Sequence, residues 1–250
     1  MLTVVLMLGA CGGKDERDLR SGAEELFERG GKSMNSGNYR NAIRYYEALE
    51  ARYPFSNQSK QAQLNLIYCY YRNGEPESAI DAAIQFEREN PTHPRVDYAL
   101  YMRGLAQFKG QRNRVHRVLR IDLARRPPVE AREAFSVFSQ LIKRYPDSRY
   151  APDARQRMIF LRNRLAKHEN IVANYYLKRG AYVAALNRAK YSVENYDGAP
   201  AVSESLWIMV AAYEKLGMRD LADETRQVMA ESFPDASVPR PQKKKRFLLF

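Results

Sequence analysis

The chain has 250 residues, 45% of them apolar and 28% charged, enough to bury a large core without help from a metal or a disulfide. Three histidines and two cysteines leave little material for a metal site. The net charge of +12, from 41 basic and 29 acidic residues, suits an acidic partner, nucleic acid or an anionic membrane surface and does not choose among them.

The first eleven residues, MLTVVLMLGAC, are apolar up to a cysteine and far too short to span a bilayer as a helix. Residues 1–10 read as the apolar part of a secretory signal ending Leu8-Gly9-Ala10 before Cys11. No Lys or Arg precedes the run, so the true start is expected upstream. The ending resembles the bacterial lipobox, in which a small residue precedes a cysteine that is acylated, although Gly9 is less usual than Ala, Ser or Thr at its place. That resemblance implies lipid on Cys11 and a polar tether over 11–20; the alternative is a fortuitous cysteine after a trimmed signal. Several acyl chains anchor a protein stably where one binds only marginally. No other cofactor is expected. With Cys11 lipidated, Cys69 has no partner for a disulfide, and in LNLIYCYY it reads as a packed small hydrophobe.

An internal repeat organises the rest of the chain. In GNYRNAIRYYEALEARYP a glycine (Gly37) is followed five residues later by Ala42 and twelve after that by Pro54. Gly74, Ala79 and Pro91 keep both spacings, as do Gly217, Ala222 and Pro234. Ala134 and Pro146 keep the second spacing, with Val129 in the glycine place. Gly180 and Ala185 keep the first, with Asp197 in the proline place. Each copy predicts two antiparallel helices: glycine for the turn, a small alanine for close helix approach, proline to end the second helix. In the first copy these are roughly Ala23–Ser36 and Tyr39–Arg52. Such marks are those of tetratricopeptide repeats, normally at a period of about 34. Here Ala42 to Ala79 and Ala185 to Ala222 step by 37, which slightly longer helices would absorb. The predicted fold is all-α, a tetratricopeptide superhelix of five helical hairpins, and such solenoids are usually binding surfaces.

The middle copies are stretched. Three repeats are predicted over 21–150, with an insert at 110–129 that carries Arg112, Arg114, Arg117, Arg120, Arg125 and Arg126. It is either a basic contact loop or a solvated excursion. Residues 151–236 are predicted to hold one unusually long helix and the last two repeats, giving two rigid halves joined by that helix. Residues 237–250, with Lys243–Arg246 ahead of FLLF, read as a disordered basic tail or, alternatively, as a membrane-surface contact.

No catalytic set stands out: there is no Gly-rich phosphate loop, no HExxH and no Gly-x-Ser-x-Gly. His93, His116 and His168 lack ligand spacing, and His93 reads as a turn residue between Pro91 and Pro94. An enzyme is not expected. Basic residues are spread over many helices rather than concentrated on one face, so no nucleic-acid partner is expected either. What remains is a groove. Aligning the first helix of each hairpin on the repeat pattern aims Phe27, then Tyr68, Tyr71 and Arg72, then Tyr98, Tyr101, Phe108 and Lys109 at the concave face. Aromatics with a few cations suit an extended peptide with alternating apolar side chains. In the competing reading, half of these rings pack between helices.

Several segments together resemble the BamD (ComL) family of outer-membrane β-barrel assembly lipoproteins. They are RYPF at Arg52–Phe55, LIYCYY at Leu66–Tyr71, NPTHPRVDYALYMRGL at Asn90–Leu105, EAREAFSVFSQLIKRYPDSRY at Glu130–Tyr150 and FLRNRLAKHE at Phe160–Glu169. The resemblance implies a lipid-anchored scaffold in the outer membrane of a Gram-negative bacterium, facing the periplasm. Its implied partners are the periplasmic domains of BamA, other assembly-complex lipoproteins and unfolded outer-membrane proteins. Substrate would meet the first repeats and BamA the last ones, with Arg188 in AALNRAK matching a BamA-contacting arginine. Gly12 after the lipidated cysteine is compatible with outer-membrane sorting, and the basic tail departs from shorter relatives. Another periplasmic tetratricopeptide adaptor, such as one coordinating cell-wall enzymes, would share the repeats but lack the Asn90–Leu105 segment.

Overall fold

The computed structural model describes residues 21–109, 123–125 and 127–234. Cys11, the signal and tether, most of the 110–129 insert and the tail from 235 onward lie outside those residues. The described residues form ten α-helices and one 3₁₀ turn, Leu123–Arg125, with no strand among them. The helices are α1 (Ala23–Asn35), α2 (Tyr39–Arg52), α3 (Ser59–Asn73), α4 (Pro76–Glu89) and α5 (Val96–Lys109). After the insert come α6 (Val129–Arg144), α7 (Ala151–Lys178), α8 (Tyr182–Asn195), α9 (Val202–Lys215) and α10 (Arg219–Ser232).

Four hairpin turns carry the repeat glycines, Gly37, Gly74, Gly180 and Gly217, all at φ between 76° and 89°. That region is strained for any residue with a Cβ, so the glycine is what allows a helix to stop and reverse within two residues. At α3 the capping is explicit: the Gly74 N–H donates to the Tyr70 carbonyl at 3.1 Å. Successive helices then pack in chain order, α1 to α2 and onward to α5, and α8 to α9 to α10, the hallmark of a helical-repeat array. The repeat alanines Ala42, Ala79, Ala134, Ala185 and Ala222 are all buried, as close helix approach requires. Gly30 shows how close that approach is: a Cβ built there would stand 2.6 Å from the Tyr46 ring of α2.

By internal contacts the described residues divide into two compact units. One holds those before 110 together with 140–151; the other holds 123–139 with 152–234. The division therefore runs inside α6, whereas the repeat spacing alone puts the boundary at 150/151. In the first unit the core of the first hairpins gathers Leu26, Ala42, Tyr46, Leu49, Ala62, Leu66 and Cys69. Burial pushes the Cys69 thiol up to about 12, so it is an inert packed side chain.

The second unit is knitted differently. α7 runs unbroken for 28 residues, about 42 Å. Its Asn170 is fully buried and donates to the Ala201 carbonyl at 2.7 Å, while the buried Ser205 hydroxyl donates to Asn170 Oδ1 at 2.6 Å. Asn174 donates to Glu204 at 3.0 Å. An apolar cluster of Ala173, Ala185, Ala189 and Ile208 joins α7, α8 and α9 beside this network. On the same long helix, His168 Nδ1 lies 2.7 Å from the Ala124 carbonyl. A carbonyl only accepts, so Nδ1 carries the proton, and His168 ties the end of the insert to α7.

Candidate functional site

Two aromatic–cation clusters in the first unit centre on the first helices of the second and third hairpins, α3 and α5. In the first, Tyr39 at the start of α2 meets Tyr68 of α3 edge-on, ring centroids 6.1 Å apart. Arg72, one turn after Tyr68, lies over both rings, 4.8 Å from the Tyr39 centroid and 5.5 Å from that of Tyr68, and donates to the Tyr68 hydroxyl. Helical spacing makes this contact possible, since residues four apart share a face.

The second cluster lies on α5 and the turn after α6. Tyr101 stacks on Tyr150 at 4.7 Å with the planes 17° apart, and Tyr98 meets the same ring at 5.7 Å. Arg95 sits 4.8 Å from the Tyr98 centroid and Arg149 5.0 Å from that of Tyr150. A polar staple fixes the turn against α5: the Ser148 hydroxyl donates to Asp97 at 2.6 Å, and the Tyr150 N–H donates back to Ser148 Oγ at 3.2 Å. Burial, reinforced by the neighbouring Tyr150, holds the Tyr98 hydroxyl well above the ordinary tyrosine range, so it stays a neutral donor at any physiological pH. α3 and α5 are themselves in contact. The product is a run of half-buried ring edges with guanidinium groups along it, chemistry suited to apolar side chains and carboxylates of an extended peptide.

The predicted groove residues separate on inspection. Tyr68, Arg72, Tyr98 and Tyr101 belong to the clusters. Tyr71 is half-buried on α3 outside the ring contacts just described. Phe27 packs inward, its ring 5.9 Å from Tyr46 at the edge of the first core. Phe108 needs correction: it is only 7% exposed and belongs to the packed interior, because position 108 of α5 turns inward with Leu105. The Lys109 side chain lies outside what the structure describes. Repeat alignment does not reach Tyr39, Arg95, Arg149 and Tyr150. Arg95 lies inside the Asn90–Leu105 segment, while Arg149 and Tyr150 close RYPDSRY, so the signal was present and only the pairing was not.

Arg188 belongs to the second unit and is about half exposed. Its guanidinium lies 3.2 Å from Glu169 of α7, whose side chain is only 2% exposed. This is the single ion pair of Glu169 among the described residues. Among those residues there is no cluster of His, Cys, Asp and Glu able to hold a metal, and no helix is long and apolar enough to cross a membrane.

Comparison with known proteins gives the family. A family model described as YfiO, outer membrane lipoprotein, matches residues 20–228. The outer membrane protein assembly factor BamD of Neisseria meningitidis is 42% identical over 211 residues, covering 84% of this chain and 79% of that protein. The chain belongs to the BamD family. The BamD proteins of Vibrio cholerae and Pasteurella multocida are 40% and 36% identical, covering 82% and 88% of this chain and 85% and 84% of their own lengths. Members of the BamD family are non-enzymatic scaffolds. The matched residues include both aromatic clusters and Arg188; Cys11 and the tail lie outside them.

Proposed function

We propose that the protein is a scaffold of the outer-membrane β-barrel assembly complex, held to the outer membrane by lipid on Cys11 and facing the periplasm. Its first repeats receive unfolded outer-membrane proteins at the two aromatic–cation clusters. Its last repeats hold the periplasmic domains of BamA, with Arg188 in the contact, and further lipoproteins of the complex assemble around it. The observation that carries the substrate half is the Tyr98–Tyr101–Tyr150 stack flanked by Arg95 and Arg149. Stacked, pre-oriented rings offer contact area at small entropy cost, and the flanking cations can meet acidic side chains or a C-terminal carboxylate.

The test is site-specific crosslinking of the purified protein to a peptide carrying a barrel C-terminal signal. Tyr98→Ala with Tyr101→Ala is expected to abolish most of the crosslinked product while the helical content stays that of the wild type. Unchanged crosslinking in a folded double variant would remove the substrate site from these residues.

A further inference from the structure

In an array of helical hairpins the turns within hairpins stack along one edge and the turns between hairpins along the other. In the second unit the turn within a hairpin occurs twice, at Gly180 between α7 and α8 and at Gly217 between α9 and α10. α8 packs on α9 and α9 on α10, while Ala173, Ala185 and Ile208 tie α7 to α8 and α9, so the two turns share an edge. Both present apolar side chains to water. In the last turn of α7 and the first of α8, Tyr175 and Val183 are 52% and 58% exposed. Just before α10 and in its first turn, Met218 and Leu221 are 47% and 41% exposed. The equivalent turns of the first unit differ, since no large apolar side chain is exposed so close to Gly37 or Gly74.

Cations accompany these apolar residues. Lys178 and Arg179 precede Gly180, and Lys215 and Arg219 bracket Gly217; all four are exposed. Among the described residues Lys178, Lys215 and Arg219 make no ion pair. Arg179 lies over the Tyr175 ring, 4.8 Å from its centroid. Two carboxylates stand within the same reach. Glu214 is paired with Arg226, and Asp220 is exposed in the first turn of α10. We propose that this edge rests on an anionic lipid surface, with Tyr175, Val183, Met218 and Leu221 entering the headgroup boundary and the four cations meeting lipid phosphates. Tyrosine settles at the level of headgroups, and the stems of Lys and Arg cover apolar surface while their charges stay in water. A row of helix ends offers no groove for a peptide, but a soft planar surface meets all of them together. Such a contact strengthens with the apolar area buried and with each cation, and it is reversible. It sets which way the second unit faces, which an acyl chain on a polar tether does not do.

The test uses the purified full chain with Cys11→Ser, so no acyl chain contributes, and with the buried Cys69 left in place. A nitrobenzoxadiazole label is attached at Val183→Cys or Met218→Cys and, as a control on the opposite edge, at Asp197→Cys. The label reports burial at its own position, so binding through another basic segment does not count as support. On adding phosphatidylcholine vesicles that contain phosphatidylglycerol, the labels at 183 and 218 are expected to brighten several-fold and shift to the blue, with little change at 197. Phosphatidylcholine alone should give much less, and Lys178→Glu with Lys215→Glu should lower the response several-fold while the circular dichroism stays that of the wild type. High salt should act in the same direction. Three results overturn the proposal. In the first, the labels at 183 and 218 stay in water. In the second, the label at 197 brightens as much as they do. In the third, purified BamA periplasmic domains displace the vesicles from the labelled edge, which makes a protein its occupant.

Discussion

Glu169 is a carboxylate with almost no access to water, and Arg188 is its counter-ion from the helix packed alongside. Removing one member of a buried pair leaves an uncompensated charge and costs about 3–5 kcal/mol; the half-exposed arginine places this pair at the low end. Arg188→Glu would bring two carboxylates together and weaken the fold, confusing any binding result. The informative variant is Glu169→Leu with Arg188→Leu, expected to melt close to the wild type by circular dichroism because an apolar pair can replace a buried ionic one. The same variant should recover less BamA in a pull-down if Arg188 lies in that contact. Gly30 is a second exacting position: Gly30→Ala drives a methyl group into the Tyr46 ring and is expected to cost about 1–3 kcal/mol in urea unfolding. His93 governs the turn before α5. Its Nδ1 accepts the Arg95 N–H at 3.2 Å and its ring packs edge-on against Phe86 at 5.2 Å. Partial burial, then Lys60 and Arg95, lower its pKa. The unfolded chain therefore binds this proton more readily than the folded one. The stabilisation is fully present above about pH 6.5 and is lost as pH falls through the lowered native value. The melting temperature should therefore drop more steeply below pH 6.5 in the wild type than in His93→Asn.

At the scale of elements, the turn after α6 is held to α5 by the Asp97–Ser148 hydrogen bond as well as by stacked rings. Ser148→Ala leaves Asp97 with one acceptor oxygen fewer satisfied, a loss of about 1 kcal/mol. The expected signature is local: faster amide exchange in Asp147–Tyr150 and weaker peptide crosslinking, with the first hairpin unaffected. α7 is the contrasting element. Its length reflects the absence of Gly and of any Pro after Pro152 through Lys178, but its buried Asn170 and Glu169 have meaning only once α8 and α9 supply partners. Buried polar groups of that kind are costly unless every one is matched, so they fix which helix lies against which.

For the whole molecule, the proposed labour is divided between the units. Tyr98→Ala with Tyr101→Ala should lower substrate-peptide crosslinking and leave BamA recovery at the wild-type level. The Glu169→Leu, Arg188→Leu variant should do the reverse. A variant in either place that lowered both would mean that substrate and BamA bind as one coupled event. Family membership covers both units, since the matched residues run from 20 to 228.

The Gly–Ala–Pro spacing was enough to read the helical hairpins, because turn glycines and close-packed alanines obey local rules that hold wherever two helices reverse. The segments hung on that spacing, above all Asn90–Leu105, were enough to read the family. The side on which a given ring falls was not legible. Phe108 and Tyr101 stand on one helix in similar company, yet Phe108 is buried and Tyr101 stacks on a residue 49 positions away. Tyr150, Arg149 and the Glu169–Arg188 pair likewise became visible only when distant helices met, since repeat spacing specifies neighbours along the chain and packing specifies neighbours across it.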